Sequence, residues 1–430
     1  MERDLGTASA GGLWPGDTPI AARRGLLALV ARLGGALVVA VVPVSVLWLP
    51  IGHVPGAGNV TAADASLIAL WALVGLTLAV RGLADLGARP LLIAILATGV
   101  GVLTGIGAAI YGGAGLFEFS LLMKRFGLAS ILPVAAILFR SRSTAGWIRL
   151  ASALAAIALA VFTLFPELQS HLPRPDAWDD LFAAEGRAVG PLTNPNDLAY
   201  AAIALAILHG ALLPRRPRLA DRALLVAVLA AGATCAVTSG SRSGVLGLAA
   251  GVAYMLASSR VTLATRAAVL ATTVAVFLGG ITYSAVFESR LAHAYQKGLQ
   301  EENVYTRLEA QALAARTALV YPLGVGYTDF ARVTARTGDV SFTTADSVYL
   351  DTLLGAGFLG LAGLLALLHV AWRHVGRAAG PASLRGAVLR GGLVAFFIFG
   401  TATVVPISVF LSPLFFSLVA AASYADAGAT

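Results

Sequence analysis

The sequence predicts an all-α, polytopic integral membrane protein with about 12 transmembrane helices. Of its 430 residues, 58% are hydrophobic and only 12% are charged, whereas soluble domains carry roughly 25% charged residues. The mean hydropathy is +0.83. A hydrocarbon core about 30 Å thick requires about 20 apolar residues per helix, and the chain has apolar runs for about a dozen crossings. This composition excludes a soluble enzyme held by one membrane anchor.

The apolar runs define the order of the elements. The first run is too long for a secretory signal and lacks a convincing cleavage site, so it is predicted to remain as the first helix after a cytoplasmic tail, 1–25. Residues 26–430 then form a single membrane domain. Pro406, between the last two spans, predicts a tight turn, a kink or a re-entrant hairpin. The predicted spans are 26–49, 65–80, 90–110, 119–139, 148–165, 198–213, 223–239, 244–258, 267–286, 347–369, 391–405 and 407–423.

The charge distribution predicts the orientation of these spans. With both termini in the cytoplasm, 18 of the 30 basic residues and 6 of the 22 acidic residues fall on the cytoplasmic side. Basic residues favour cytoplasmic loops. The net charge of +8 therefore indicates membrane orientation, with membrane lipids and no nucleic acid as partners, because the basic residues are scattered between apolar runs. The lone Cys235 permits no intramolecular disulfide.

Two extracytoplasmic segments are long enough to have structure of their own, 166–197 and 287–346, and the second lies between the ninth and tenth spans. Within it, residues 301–319 have high helix propensity and an acidic first turn, which predicts an amphipathic helix that ends at YPLGVGY (321–327). The cytoplasmic loops are short and contain no glycine-rich phosphate loop. The chemistry is therefore expected on the outer face.

Basic residues on the outer face are candidate ligands for an anion. Arg242 lies in TSGSRSG (238–244), a turn so short that the guanidinium must lie at the membrane surface, where its planar fork suits a diphosphate. Headgroup anchoring or an ion pair is the alternative. Arg307, on the predicted loop helix, could instead form an ordinary surface salt bridge. Lys124 and Arg125, at the outer end of the fourth span, could bind a lipid phosphate or simply snorkel.

Polar residues also open two of the predicted helices. In GPLTNPNDLAY (190–200), Asn196 or Asp197 is expected to cap the sixth span. Asp346 and Ser347 begin the tenth span in the same way, and either could be its N-cap.

Other catalytic classes find little support in the residues. The six histidines are dispersed without metal-ligand spacing, and no GxSxG elbow is present. Asp176, Asp179 and Asp180 could bind a divalent cation, but a solvated acidic loop is the more common explanation for such a cluster. Neither a metal nor a cofactor is predicted.

Four motifs in chain order resemble the O-antigen ligase and polymerase superfamily, whose members are polytopic glycosyltransferases of the bacterial cytoplasmic membrane. The resemblance implies that this chain takes a glycan from a polyprenyl-diphosphate carrier and transfers it, in an extracytoplasmic active site, to a glycan, lipid or protein acceptor. The motifs are RAVGPLTNPNDLAY (187–200), TSGSRSG (238–244), VYTRLEAQALAARTALVYPLGVGYTDF (304–330) and ADSVYLDTLLGAGFLG (345–360).

The resemblance implies roles for particular residues. Arg242 and Arg307 match the two family arginines assigned to the diphosphate. Asp346 stands where the ligases have a histidine, followed by the family frame of Ser347, nine residues, and then Gly357 and Gly360. The catalytic candidates are thus Asp346, Arg242 and Arg307. Further candidates for binding diphosphate, glycan or lipid are Arg187, Asn196, Lys124, Tyr305 and Ser347.

The aspartate at position 346 is a departure from the ligases. The family histidine activates the acceptor hydroxyl, and a carboxylate is a weaker base than an imidazole. It can serve an inverting, metal-independent transfer if proton transfer comes late, and the related peptidoglycan polymerases also use an aspartate in an outer loop. Asp346 is therefore expected to orient or deprotonate the acceptor.

Two alternatives remain open at the level of sequence. A repeat-unit polymerase of the same superfamily would join polysaccharide units instead of transferring a finished chain. A lipid-linked glycan transporter or flippase would carry ionisable residues at mid-membrane depth and broken helices in two related halves. The chain has Asp351 one turn into the tenth span but no second half to match it.

Overall fold

The fold is known from a computed structural model, which describes residues 17–47, 49–55, 58–83, 86–111, 120–121, 123–165, 167–168, 188, 190–192, 194–214, 217–258, 267, 302–326, 345–378, 383–401, 403 and 412–425. Within these residues lie twelve α-helices and one β-hairpin. The helices are α1 (Asp17–Val44), α2 (Ala62–Arg81), α3 (Ala88–Tyr111), α4 (Leu132–Leu138), α5 (Arg142–Leu164), α6 (Pro195–Ala211), α7 (Leu219–Thr238), α8 (Arg242–Ser258), α9 (Glu302–Val320), α10 (Val348–Ala378), α11 (Leu384–Thr401) and α12 (Ser412–Ala425). The antiparallel hairpin is β1 (Pro50–Val54) and β2 (Gly58–Thr61).

The protein is a helical, polytopic membrane protein, as predicted. Seven of the described helices are long and apolar enough to cross a membrane. They are Gly25–Val44, Ala62–Arg81, Ala88–Tyr111, Arg142–Leu164, Leu219–Thr238, Val348–Arg377 and Leu384–Thr401. The total of about 12 spans stays a prediction. Most of the ninth predicted span, 268–286, lies outside the described residues.

The fourth predicted span, 119–139, is not a continuous α-helix. A π-helix (Met123–Gly127) and a 3₁₀ turn (Ala129–Ile131) precede the short α4. Pro133 lies in the first turn of α4. Proline has no amide hydrogen to donate and its ring collides with the carbonyl four residues earlier, so a regular α-helix cannot continue through this point from the amino-terminal side.

The last two predicted spans correspond to α11 and α12 with shifted boundaries. The prediction placed them at 391–405 and 407–423, whereas α11 ends at Thr401 and α12 begins at Ser412. Pro406 and its neighbours, 404–411, lie outside the described residues, so the turn, kink and re-entrant hairpin remain alternatives. The predicted loop helix, 301–319, is confirmed as α9.

One end of the bundle collects the starts of α6, α8 and α10 and the end of α11. The Ser347 hydroxyl, just before α10, donates to the Gly400 carbonyl of α11 at 3.4 Å. At the start of α8, Gly244 packs against Phe399 of α11. The hairpin before α8 also contacts the start of α6, where Ser241 donates to Asn196 at 2.8 Å. This end is called the site end below.

The opposite end holds the starts of α5, α7 and α11. Arg149 of α5 forms an ion pair with Asp221 of α7 at 2.5 Å, measured from Nη1 to Oδ1. Arg385 of α11 donates to the Leu213 carbonyl just after α6. Neighbouring helices therefore alternate in direction.

The bundle packs through small residues around α6. Nearly every residue of α6 is buried, and a methyl group added at Gly251 of α8 would overlap the Gly391 carbonyl of α11. Membrane helices depend on such close backbone approach because lipid tails are as apolar as the side chains. The α8–α11 contact thereby fixes the start of α8 at the site end.

Candidate functional site

Arg307 and Asp346 lie next to each other at the site end. The Arg307 Nε is 3.6 Å from an Asp346 carboxylate oxygen, and the two side chains are 35% and 36% exposed. Asp346 has a positive φ, of 48°, and it is the only residue other than glycine to do so in the part of the chain that the structure describes. Aspartate tolerates this left-handed conformation better than most residues, and such backbone strain concentrates at functional sites. The structure thus brings two of the three predicted catalytic residues together at a reachable position.

Ser347, and not Asp346, occupies the cap position of α10. The Ser347 carbonyl accepts the first helical hydrogen bond, from the Asp351 amide at 2.8 Å. The Ser347 side chain is buried and its hydroxyl bonds the Gly400 carbonyl. Of the two predicted cap candidates, Ser347 therefore holds the position, and it also fastens the start of α10 to the end of α11.

Arg242 is the first residue of α8 and lies at the same end. Three residues, 239–241, connect it to α7, which confirms the predicted hairpin. Ser241 caps the new helix, because its hydroxyl accepts a hydrogen bond from the Gly244 amide at 3.2 Å. The Arg242 side chain is partly exposed. A cation in the first turn of a helix opposes the helix dipole, so this position is not explained by helix stability.

The cap of α6 differs from the prediction. Asn194 is the N-cap, with an extended backbone and a side chain that accepts from the Asn196 amide at 2.8 Å. The expectation that Asn196 or Asp197 caps this helix was wrong. Proline suits the first helical position because an amide hydrogen at that position would have no helical partner. With Pro195 there, the N-cap is the residue before it, Asn194.

Asn196 instead joins two of the motifs singled out in the sequence. It is almost fully buried, and its side-chain carbonyl accepts from the Ser241 hydroxyl in the α7–α8 hairpin. Arg187 lies outside the described residues, but the next residue, Ala188, donates its amide to the Thr238 carbonyl at 3.1 Å. The segment before α6 therefore lies against the hairpin that carries Arg242.

Lys124 is engaged in a structural ion pair. Its Nζ lies 3.1 Å from Asp64 Oδ2, and both side chains are largely buried. It also donates to the Asn59 carbonyl of the β-hairpin. Asp64 in turn completes a capping box with Thr61 at the start of α2. Lys124 therefore connects the π-helix to the hairpin and α2, and the Arg125 side chain lies outside the described residues.

Tyr305 is not directed toward the Arg307–Asp346 pair. It is 61% exposed on α9. Two residues apart on a helix correspond to a rotation of about 200°, so Tyr305 and Arg307 project from opposite faces.

Sequence reasoning missed a break in α10. Gly357 has φ 68° and ψ −169°, which is not helical. In a continuous helix the Phe358 amide would bond the Leu354 carbonyl. It donates instead to the Pro322 carbonyl at 3.1 Å. The segment that follows α9 therefore enters the break, and residues 321–326 are called the clasp below.

The clasp also satisfies the carbonyl groups that the break leaves without helical partners. The Val325 amide donates to the Leu354 carbonyl at 2.8 Å, and the Gly326 amide donates to the Gly355 carbonyl at 3.0 Å. A methyl group at Gly324 would overlap Gly355. The clasp consequently fixes the end of α9 against α10 and sets the placement of Arg307 beside Asp346. The sequence signal was present in the glycines of YPLGVGY and LLGAGFLG.

Two buried carboxylates also lie at the site end. Asp197 and Asp351 are each 5% exposed, in the first turns of α6 and α10. Within the residues that the structure describes, no group of three His, Cys, Asp or Glu side chains is arranged to hold a metal ion.

A comparison with known protein families matches part of the chain. Residues 225–365, about a third of the chain, match the family model described as O-antigen ligase. The matched stretch begins in α7 and ends in α10, so it contains Arg242, Arg307 and Asp346. A comparison with curated proteins found no match.

Proposed function

Because residues 225–365 are an O-antigen ligase family domain, we propose that this membrane protein transfers a glycan from a polyprenyl-diphosphate carrier to an acceptor on the outer face of the bacterial cytoplasmic membrane. The observation that carries the proposal is the partly exposed Arg307–Asp346 pair within that domain. Arg242 lies at the same end of the bundle, at the start of the helix that α11 holds in place.

The charges support an outward-facing site end. Arg149, Arg222 and Arg377 all belong to the opposite end, as do Arg385 and Arg390. Basic residues favour the cytoplasmic side. With that orientation, both chain termini are cytoplasmic and the substrate lipid meets the protein in the outer leaflet.

The diphosphate is proposed to bind at the start of α8. The amino-terminal end of a helix is a favourable place for an anion, because its backbone amides and dipole present positive charge. Arg242 adds a permanent positive charge at that end. The helix dipole disfavours a cation there, but an anionic ligand bound to the guanidinium would offset this repulsion. Arg307 would meet the diphosphate from α9. A guanidinium carries five N–H donors, so binding the Asp346 carboxylate does not exhaust them.

The reaction proposed for these groups is a single inverting displacement. The acceptor hydroxyl oxygen forms a bond to the anomeric carbon while the bond from that carbon to the diphosphate oxygen breaks. The bonding electron pair leaves with the diphosphate, whose growing negative charge Arg242 and Arg307 neutralise. The hydroxyl proton moves to the Asp346 carboxylate. The activated donor supplies the energy, and no step uses a metal or a nucleotide.

The test is glycan transfer by purified protein in lipid, with a labelled polyprenyl-diphosphate glycan as donor. Arg242→Ala is expected to reduce transfer by about 10²-fold or more, the typical loss when one preorganised charge or donor is removed. Arg377→Ala, an exposed arginine at the opposite end, is the matched control and should retain activity. Equal activity of the two variants would refute the role of Arg242. The length of the product distinguishes a ligase from a repeat-unit polymerase.

A further inference from the structure

The helix α9 descends along the first half of α10. Near its start, Arg307 pairs with Asp346, just before α10. In its middle, Ala314 packs in a small apolar cluster with Leu354, two turns into α10. After its end, the clasp bonds to the break around Gly357. The contacts therefore move steadily from the start of α10 toward its interior.

This descent reaches the depth of candidate membrane spans. Gly357 lies nine residues after Val348 in α10, a distance of about 13 Å along a helix. Gly324 of the clasp lies against Gly107 of α3. Gly107 is four residues before the end of α3 at Tyr111, or about 6 Å along its axis. Both α3 and α10 are long and apolar enough to cross a membrane.

The lower end of α9 exposes large apolar side chains. Leu319 is 74% exposed, Val320 is 63% exposed, and Leu323 of the clasp is 42% exposed. This surface continues onto the neighbouring span, where Phe358 and Leu359 are 47% and 62% exposed. The face of α9 that packs inward instead consists of small residues, which are Ala310, Ala314, Thr317 and Ala318.

We propose that the carboxyl-terminal half of α9 and the clasp re-enter the outer leaflet, with Leu319, Val320 and Leu323 in contact with lipid acyl chains. Lipid is the occupant because this apolar surface is continuous with the exposed face of α10, a candidate membrane span. Irregular backbone is tolerated at membrane depth where its polar groups are satisfied by protein. The hydrogen bonds between the clasp and α10 satisfy the Pro322 carbonyl and the Val325 and Gly326 amides in this way.

The polar residues of α9 agree with this placement. Glu309 and Gln311 lie in the first half of the helix, and the Gln311 amide donates to the Thr401 carbonyl at the end of α11. Arg316 lies one turn before Val320, where its long side chain can extend back toward the headgroups. A consequence that rests on the proposed function is that Arg307 lies at the depth of lipid phosphates, where a diphosphate carrier presents its charge.

Spin labelling can test the depth directly. Cys235, the single cysteine of the chain, is buried, so a Cys235→Ala background allows one label to be placed at a time. Labels at Leu319→Cys and Val320→Cys are compared with two references in proteoliposomes. Tyr305→Cys, on the exposed upper part of α9, is the aqueous reference, and Leu365→Cys, half exposed on α10, is the lipid reference.

The measured quantity is the ratio of collision with dissolved oxygen to collision with a water-soluble nickel chelate. A ratio above one is expected at positions 319 and 320, as at 365, with a ratio below one at 305. Dominant collision with nickel at 319 and 320 would place them in water, and low collision with both reagents would place them under protein. Either result overturns the proposal. Because the measurement needs no transfer activity, its failure is distinct from failure of the proposed function.

Discussion

Two Arg–Asp ion pairs lie at opposite ends of the bundle and differ in geometry. At the end away from the site end, Arg149 and Asp221 approach to 2.5 Å, with side chains 21% and 16% exposed. At the site end, Arg307 and Asp346 are 3.6 Å apart, with side chains 35% and 36% exposed. The first pair is tight and partly enclosed, whereas the second is loose and open.

The surroundings explain the difference. Asp221 also accepts a hydrogen bond from the Arg218 amide at 2.9 Å and so caps α7. The Arg149 carbonyl bonds His209 of α6 at 3.0 Å. That pair therefore ties three helices together. The Arg307–Asp346 pair joins α9 to the residue before α10, and an exposed pair of this kind contributes at most about 1 kcal/mol of stability. The same two residue types serve packing at one end and, in the proposed function, contact the substrates at the other.

The largest effect is expected when the two aspartates are neutralised separately. Asp346→Asn keeps the shape of the side chain but removes the proton acceptor, so transfer should fall by about 10²- to 10⁴-fold, the usual contribution of a general base. Thermal unfolding should change little. Asp221→Asn should instead lower the unfolding temperature, because it weakens both the ion pair and the helix cap. Transfer rate and unfolding temperature are measured on each purified variant.

If Asp346→Asn lowered the unfolding temperature as much as Asp221→Asn, Asp346 would serve packing. The contrast between the two ion pairs would then not hold. Asp346→His sharpens it further, because histidine stands at this position in the ligases that the sequence resembles. An imidazole titrates near neutral pH, so a histidine base acts only where it is neutral. Asp346→His is expected to recover more transfer than Asp346→Asn, and this transfer should be lost as the pH falls below neutrality.

The two arginines provide the next contrast. Arg307→Ala should reduce transfer by about 10²- to 10³-fold, because it removes a charge directed at the leaving group. Arg149→Ala should mainly lower the unfolding temperature. Arg316→Ala is the control for Arg307→Ala, since it removes the same type of residue from the same helix at an exposed position. Equal transfer by the two α9 variants would contradict the proposed role of Arg307.

The helices could be predicted from sequence because lipid imposes one strong rule, an apolar run of sufficient length. The second predicted span, 65–80, became Ala62–Arg81, and the third, 90–110, became Ala88–Tyr111. The prediction that the fourth span is one continuous α-helix was wrong, because the chain path before Pro133 depends on local backbone geometry that an apolar run does not reveal. The N-cap of α6 failed for a related reason, since the proline fixed the cap at Asn194.

The site was less accessible to sequence reasoning. The resemblance suggested Arg307 and Asp346, but no local pattern indicates that residues so distant along the chain form a pair. YPLGVGY was recognised only as a helix end, because the carbonyls that its amides bind belong to α10. Lys124 was predicted to bind a lipid phosphate or to snorkel, because no local pattern reveals its partner, Asp64, which lies far away in sequence. Only the fold shows which partner each of these charges has and how enclosed each ion pair is.

A smaller effect is expected from the clasp. Gly324 has φ 83°, and an added methyl group would overlap Gly355, so Gly324→Ala should shift α9 relative to α10. Misplacing Arg307 should lower kcat more than it raises KM, because in the proposed reaction that charge acts on the leaving group in the transition state. Gly99→Ala is the control, since its methyl group would meet no atom within 4 Å. If both variants had wild-type kinetics, the clasp would not position the pair.

The smallest effect on transfer is expected at Lys124, which the ion pair with Asp64 assigns to structure. Lys124→Met leaves the Asp64 carboxylate without its ammonium partner, and Asp64→Asn leaves the ammonium without its carboxylate. Each should lower the unfolding temperature, whereas the double variant should be less unstable than the sum of the two, because an unpaired buried charge costs more than a missing pair. Transfer at saturating donor should stay close to wild type in the double variant. A rise in KM for the donor in Lys124→Met that the double variant does not reverse would instead place Lys124 on the lipid phosphate, and burial of an ion pair would then not distinguish a structural charge from a substrate ligand.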